Sequence, residues 1–116
     1  PIQYALTYPK RYPLKMDTLR FEEALQLEFF PPRYDDFPAL RLAYEVGKAG
    51  GFKPAIFNAA NETAVYAFLD GAIRFGDIYK TVVGVLEQAE SDSEFTLENL
   101  LAVDGWARRK ARELMV

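Results

Sequence analysis

Asn58, Asn61 and Glu62 are the residues of this chain whose types and spacing could do chemistry. They stand at i, i+3 and i+4 inside Asn58-Ala59-Ala60-Asn61-Glu62, so a helix places them on one side. Two amides and a carboxylate on one face could bind a small ligand or contribute to a metal site. One carboxylate is a poor donor set for a cation, and no general base lies nearby in sequence. The alternative is structural: Asn61 falls on the stripe of Phe57, Ala64 and Phe68, which predicts that it is buried. Buried amides must hydrogen-bond, and the backbone of a neighbouring arm or loop is the natural partner. On that reading Asn61→Leu strands those partners and costs about 1 to 3 kcal/mol.

The other polar groupings are weaker. Arg108, Arg109, Lys110 and Arg112 could hold a phosphate, but they also place cations where a helix C-terminus favours them, next to Glu113. Tyr34-Asp35-Asp36 and Asp17 could suggest magnesium. Adjacent aspartates diverge on most backbones, and the segment reads better as a turn. Gly47, Gly50 and Gly51 lack the preceding strand and following Lys-Ser/Thr of a phosphate loop. Phe29-Phe30 and Trp106 read as interface or core anchors.

Composition narrows the chemistry further. The 116 residues contain no cysteine and no histidine, which removes thiolate catalysis, disulfides, the Ser-His-Asp triad and the commonest metal ligand. Half the residues are hydrophobic, enough for a core, and a net charge of −3 gives no electrostatic case for nucleic acid or an anionic membrane. No apolar run approaches a membrane span and no signal peptide is visible. The chain begins with Pro1, which predicts processing or excision from something longer.

The elements that must position these groups divide the chain into 1–37 and 38–116. Five of the seven prolines lie in the first part, which predicts an extended arm with a short helix from Ile2 to Tyr8. Leu19, Phe21, Leu25, Leu27 and Phe29 alternate with polar residues, the period of a half-buried strand whose partner sheet must lie elsewhere. From Pro38 the period is helical. A helix opens there with Leu40, Ala43 and Tyr44 on one side and closes at Gly50-Gly51. The second runs from about Pro54 to Asp70, apolar nearly all round and therefore central, with Gly71 as its C′ residue. The third spans about Asp77 to Ala89 on Ile78, Val82, Val85 and Leu86, and Ser91-Asp92-Ser93-Glu94 is a turn. The last is capped by Thr96, with Leu97, Leu100, Leu101, Ala107, Ala111 and Leu114 as its stripe and a weak point at Gly105. The fold class is mainly α: a proline-rich arm with a short strand, then a small four-helix bundle.

Pro54–Gly71 (PAIFNAANETAVYAFLDG) and Ile73-Arg74-Phe75-Gly76-Asp77-Ile78 resemble the C-terminal region of 1-deoxy-D-xylulose 5-phosphate reductoisomerase. The likeness continues, in order, through Pro1–Leu6, Leu25–Phe29, Phe37–Tyr44 and Val103-Asp104. It implies that residues 1–37 are the end of a catalytic domain with its linker and that 38–116 are the helical domain. It also implies a longer, homodimeric parent that uses NADPH and Mg2+ or Mn2+, cytoplasmic in bacteria and plastid in eukaryotes. The family's nucleotide, metal and phosphate residues precede Pro1, so no catalytic, cofactor-binding or metal residue carries over to this chain. Its partners would be the remaining domains of the parent. The alternatives are a free-standing helical module binding through Leu25–Phe30, or a ligand-binding bundle using Glu62 and the two asparagines.

Overall fold

The computed structural model describes residues 2–15, 22, 24–90 and 93–115. They fall into two compact units, Pro1–Pro31 and Pro32–Val116. In the first, α1 (Ile2–Thr7) forms where expected, and the Lys10 N–H closes it on the Thr7 carbonyl at 2.9 Å. Tyr4 meets Tyr8 edge-on, and the Arg11 guanidinium sits 4.1 Å from the Tyr4 ring centre. The expected short strand is not formed among the described residues. Residues 24–30 join no ladder, and a strand without a partner leaves its backbone groups to water. Leu25, Leu27 and Phe29 are consequently exposed, Phe29 to 89%. Asp17, Leu19 and Phe21 lie outside the described residues.

The second unit contains α2 (Pro38–Ala49), α3 (Lys53–Leu69), α4 (Phe75–Glu87) and α5 (Leu97–Leu114). Each boundary has a local cause. Pro38 begins α2 with a φ already fitted to a helix, and Gly50 and Gly51 turn the chain at φ 66° and 56°. Gly71, at φ 75°, ends α3: its N–H donates to the Phe68 carbonyl and that of Ala72 to the Ala67 carbonyl, each at 2.9 Å. Those two bonds are the Schellman arrangement that satisfies a helix's last carbonyls. The Asp77 carboxylate accepts the Arg74 N–H at the start of α4, which begins two residues earlier than expected. Thr96 caps α5 by accepting the Asn99 N–H at 3.2 Å. α5 then runs unbroken through Gly105. Of the expected turn before it, Ser91 and Asp92 lie outside the described residues.

α3 is the central helix, packing against α2, α4 and α5. Ile56, Ala59 and Ala60 form the buried core with Val82 and Val85 of α4 and Ala107 and Ala111 of α5. Alanine on both sides of the α3–α5 contact lets those two backbones approach closely. Ile56 and Val85 are the largest fully buried side chains, each worth about 1.5 to 3 kcal/mol of transfer free energy. Phe52 meets Phe95 at 5.1 Å, and Glu62 meets Arg108 further along, so α3 and α5 run in the same direction.

Three expectations about faces are corrected. α3 is not buried all round, because Asn58, Tyr66 and Leu69 form an open strip where no helix covers it. α2 turns Val46 and Leu42 inward and leaves Leu40 and Tyr44 exposed, since it rests chiefly on α3 and has one line of contact. α5 packs through Leu100, Val103, Ala107 and Ala111, whereas Leu97 and Leu101 point to solvent.

Candidate functional site

α3 carries the three residues singled out above, but their side chains diverge. Asn58 is exposed. Asn61 is half-buried at the wall of a cleft of about 430 Å3 between the chain leading into α2, the middle of α3 and the start of α4. Glu62 turns the other way, toward α5, where its Oε2 lies 2.6 Å from Arg108 Nη2. A helix face is broad enough for residues at i+3 and i+4 to reach different neighbours, and here they do.

Asn61 is therefore not the buried amide that the stripe implied. Among the described residues neither Asn58 nor Asn61 has a side-chain hydrogen bond, and no buried side-chain nitrogen or oxygen lacks a partner. The physical reason is the narrow seat of α2, which leaves the Asn61 side of α3 open. The amide faces Pro38 and the Asp35–Phe37 turn across the cleft without bonding them.

Arg108, which the sequence offered only as one cation of a basic run, is where the structure brings α3 and α5 together. Its Nε donates to Asp104 Oδ2 at 2.8 Å, one helical turn back, and its Nη2 reaches Glu62 across the helix pair. Its hydrogen bonds to Asp104 and then to Glu62 hold the guanidinium above its already high range, so it is permanently charged. A phosphate would have to displace two carboxylates to reach it. Lys110 is likewise matched, to Glu113 at 3.1 Å. Arg108 and Lys110, two of the four cations in the basic run, are thus matched by carboxylates of α3 and α5.

Among the described residues the carboxylates do not gather into a donor set. Asp36 pairs with Arg33 at 3.2 Å in the turn before α2, Asp77 holds Lys80 at 2.8 Å, and Asp104 and Glu62 are committed to Arg108. The Lys80 ammonium, then the Arg74 N–H, keep the Asp77 carboxyl below its ordinary range, which is the work of a helix start. Among the described residues no group of three or more potential donors is placed to hold a metal ion. Nor do they include a strand running into a glycine-rich turn, the cradle a dinucleotide needs. The donor set does not fit either group, and no chemical step is assigned to these side chains.

Comparison with known proteins accounts for this arrangement. The model of the DXP reductoisomerase C-terminal domain matches residues 1–110. The 1-deoxy-D-xylulose 5-phosphate reductoisomerase of Rhodopirellula baltica is 49% identical over 114 residues, and that of Thermomicrobium roseum 50% identical over 116. The alignments cover 98% and 99% of this chain but only 25% and 30% of those relatives. The solved reductoisomerase from Zymomonas mobilis, a complex with NADPH, superposes with a TM-score of 0.84 at 44% identity, covering 98% of this chain and 30% of that one. A match that runs through both units and through every helix, with no strand or donor cluster among the described residues to set against it, leaves one assignment: this chain belongs to the DXP reductoisomerase C-terminal domain family.

Proposed function

We propose that this chain is the non-catalytic C-terminal part of an enzyme that converts 1-deoxy-D-xylulose 5-phosphate to 2-C-methyl-D-erythritol 4-phosphate, an isoprenoid precursor. On this reading residues 1–37 finish a catalytic domain and its linker, and residues 38–116 brace that domain. NADPH and Mg2+ or Mn2+ act in the part of the parent outside this chain, the parent is a homodimer, and in a bacterium it works in the cytoplasm. The observation that carries the reading is the disparity of coverage: near-half identity over almost all of this chain against a quarter to three-tenths of its relatives. The absence of a clustered donor set among the described residues supports a structural role. Among the same residues no helix is long and apolar enough to cross a membrane.

Two measurements test this. Intact-mass analysis of the natural protein should give a chain several times heavier than 13.2 kDa. Calorimetry on the 116-residue chain should show no saturable NADPH binding, and an assay no reduction of the sugar phosphate. A natural chain of this length, or turnover by it, overturns the reading. The exposed Leu25, Leu27 and Phe29 favour one alternative, a free-standing helical module binding a partner through the arm. A natural protein of 13.2 kDa would select it.

A further inference from the structure

The cleft beside Asn61 is a feature of the helical unit that its own packing does not explain. Its walls are apolar: Phe37, Val65, Phe75 and Ile78, with the half-buried Tyr79 beside them. Phe37 and Phe75 remain 48% and 62% exposed although they lie within reach of that wall. Solvated aromatic rings lining a concave surface mark a place for another molecular surface. The rim carries Asp35 and Asp36, and only Asp36 has a charged partner among the described residues, through an exposed pair with Arg33.

We infer that this cleft seats a segment of the longer parent chain in which a large apolar side chain adjoins a lysine or arginine. The inference rests on the reading of the chain as part of that parent. Two observations choose this occupant. The relatives carry about three-quarters of their length outside the matched stretch, so a large covalently attached surface is available. One wall, residues 35–39, is the stretch by which the helical unit joins whatever precedes it, so incoming chain arrives at this rim. The aromatic walls take the apolar anchor, and the carboxylate rim selects a cationic neighbour, which the rings also accept.

The test measures access to the cleft. The 116 residues contain no cysteine, so Ala39→Cys gives a single thiol at the exposed lip of the cleft. The same substitution in the full-length natural protein is followed at its own peptide by mass spectrometry. Alkylation at position 39 should be at least tenfold slower in the full-length chain than in the 116-residue chain. Lys48→Cys, exposed at the far end of α2, should react alike in both, and buried Ala111→Cys should be protected in both, which verifies folding. Adding Asp35→Lys and Asp36→Lys to the full-length Ala39→Cys protein should return most of the lost rate. Equal rates at position 39 overturn the inference and leave the proposed function standing. Protection in the short chain that rises with its concentration also overturns it, in favour of a second copy. A natural chain of only 116 residues removes the occupant and sinks both readings.

Discussion

The Arg108 guanidinium of α5 closes on the Glu62 carboxylate of α3, with 2.6 Å between Nη2 and Oε2. The two residues are far apart in sequence, and their pairing fixes the register of the two helices that run side by side. The Arg108 and Glu62 side chains are 31% and 43% exposed, so solvent screens the pair and its worth is modest. Asp104 orients the same guanidinium from below, which lowers the cost of holding it in place. Arg108→Ala should therefore destabilise by about 1 kcal/mol, several degrees in a unit this small, while Arg109→Ala changes stability by less than about 0.5 kcal/mol. Urea denaturation of both variants at low and high salt checks this. The Arg108 difference should shrink with salt.

Asn61→Leu gives the sharpest contrast between sequence and structure. A buried, bonded amide would lose about 1 to 3 kcal/mol. The structure instead places Asn61 half-buried at an open cleft without side-chain hydrogen bonds, so the change should stay within about 0.5 kcal/mol in the 116-residue chain. Thermal melting by circular dichroism decides, and a fall of several degrees would restore the bonded amide.

Ala60 is fully buried where α3 meets its neighbours. Ala60→Leu must push α4 or α5 away or force a strained rotamer, at about 1 to 3 kcal/mol. Its urea midpoint should drop well below that of Asn61→Leu, although the two positions are adjacent.

Asp77 makes the start of α4 sensitive to acid. Its folded pKa is lowered from 3.8 by the Lys80 ammonium and the Arg74 N–H. A depressed carboxylate contributes stability that is present above the ordinary value and lost as pH falls through the folded one. The melting temperatures of the wild type and Asp77→Asn should differ at pH 6 and converge below pH 3.8. A gap that persists unchanged into acid would assign the effect to shape instead of charge.

Amide exchange should rank the chain by contact. Ala59, Ala60, Thr63 and Ala64 in the middle of α3 are buried, and α3 packs against every other helix of its unit, so protection there should be the highest. Residues 24–30 join no ladder and should exchange near the unprotected rate. Strong protection there in a monomer would show that the arm finds a partner within its own chain.

The local grammar of this sequence was readable. Pro38, Gly50-Gly51, Gly71 and Thr96 mark helix ends through backbone angles and single hydrogen bonds, and those act over a few residues. Ile78, Val82 and Val85 announced the inner face of α4 because that helix is flanked on two sides. Periodicity fails where a neighbour stops short. Leu40, Tyr44, Leu97 and Leu101 match an apolar stripe but no helix reaches them, and the sequence of one helix does not carry its neighbour's extent. Glu62 was visible as a carboxylate on an apolar helix, and Asp104 with Arg108 as an i, i+4 pair. Joining them required the register of α3 against α5, which is a property of the packed core. The strand failed for a related reason: alternation describes a residue pattern, while a ladder needs a second backbone.

The narrow seat of α2 has a mechanical corollary. α3, α4 and α5 interlock through the alanines of α3 and α5 and the valines of α4, whereas α2 is held along one line to α3, and α2 is the helix through which the chain enters. Force arriving from the amino-terminal side meets the softest joint first. Displacement of whatever precedes Pro32 should therefore load the α2–α3 seam before it reaches the packing of α3, α4 and α5.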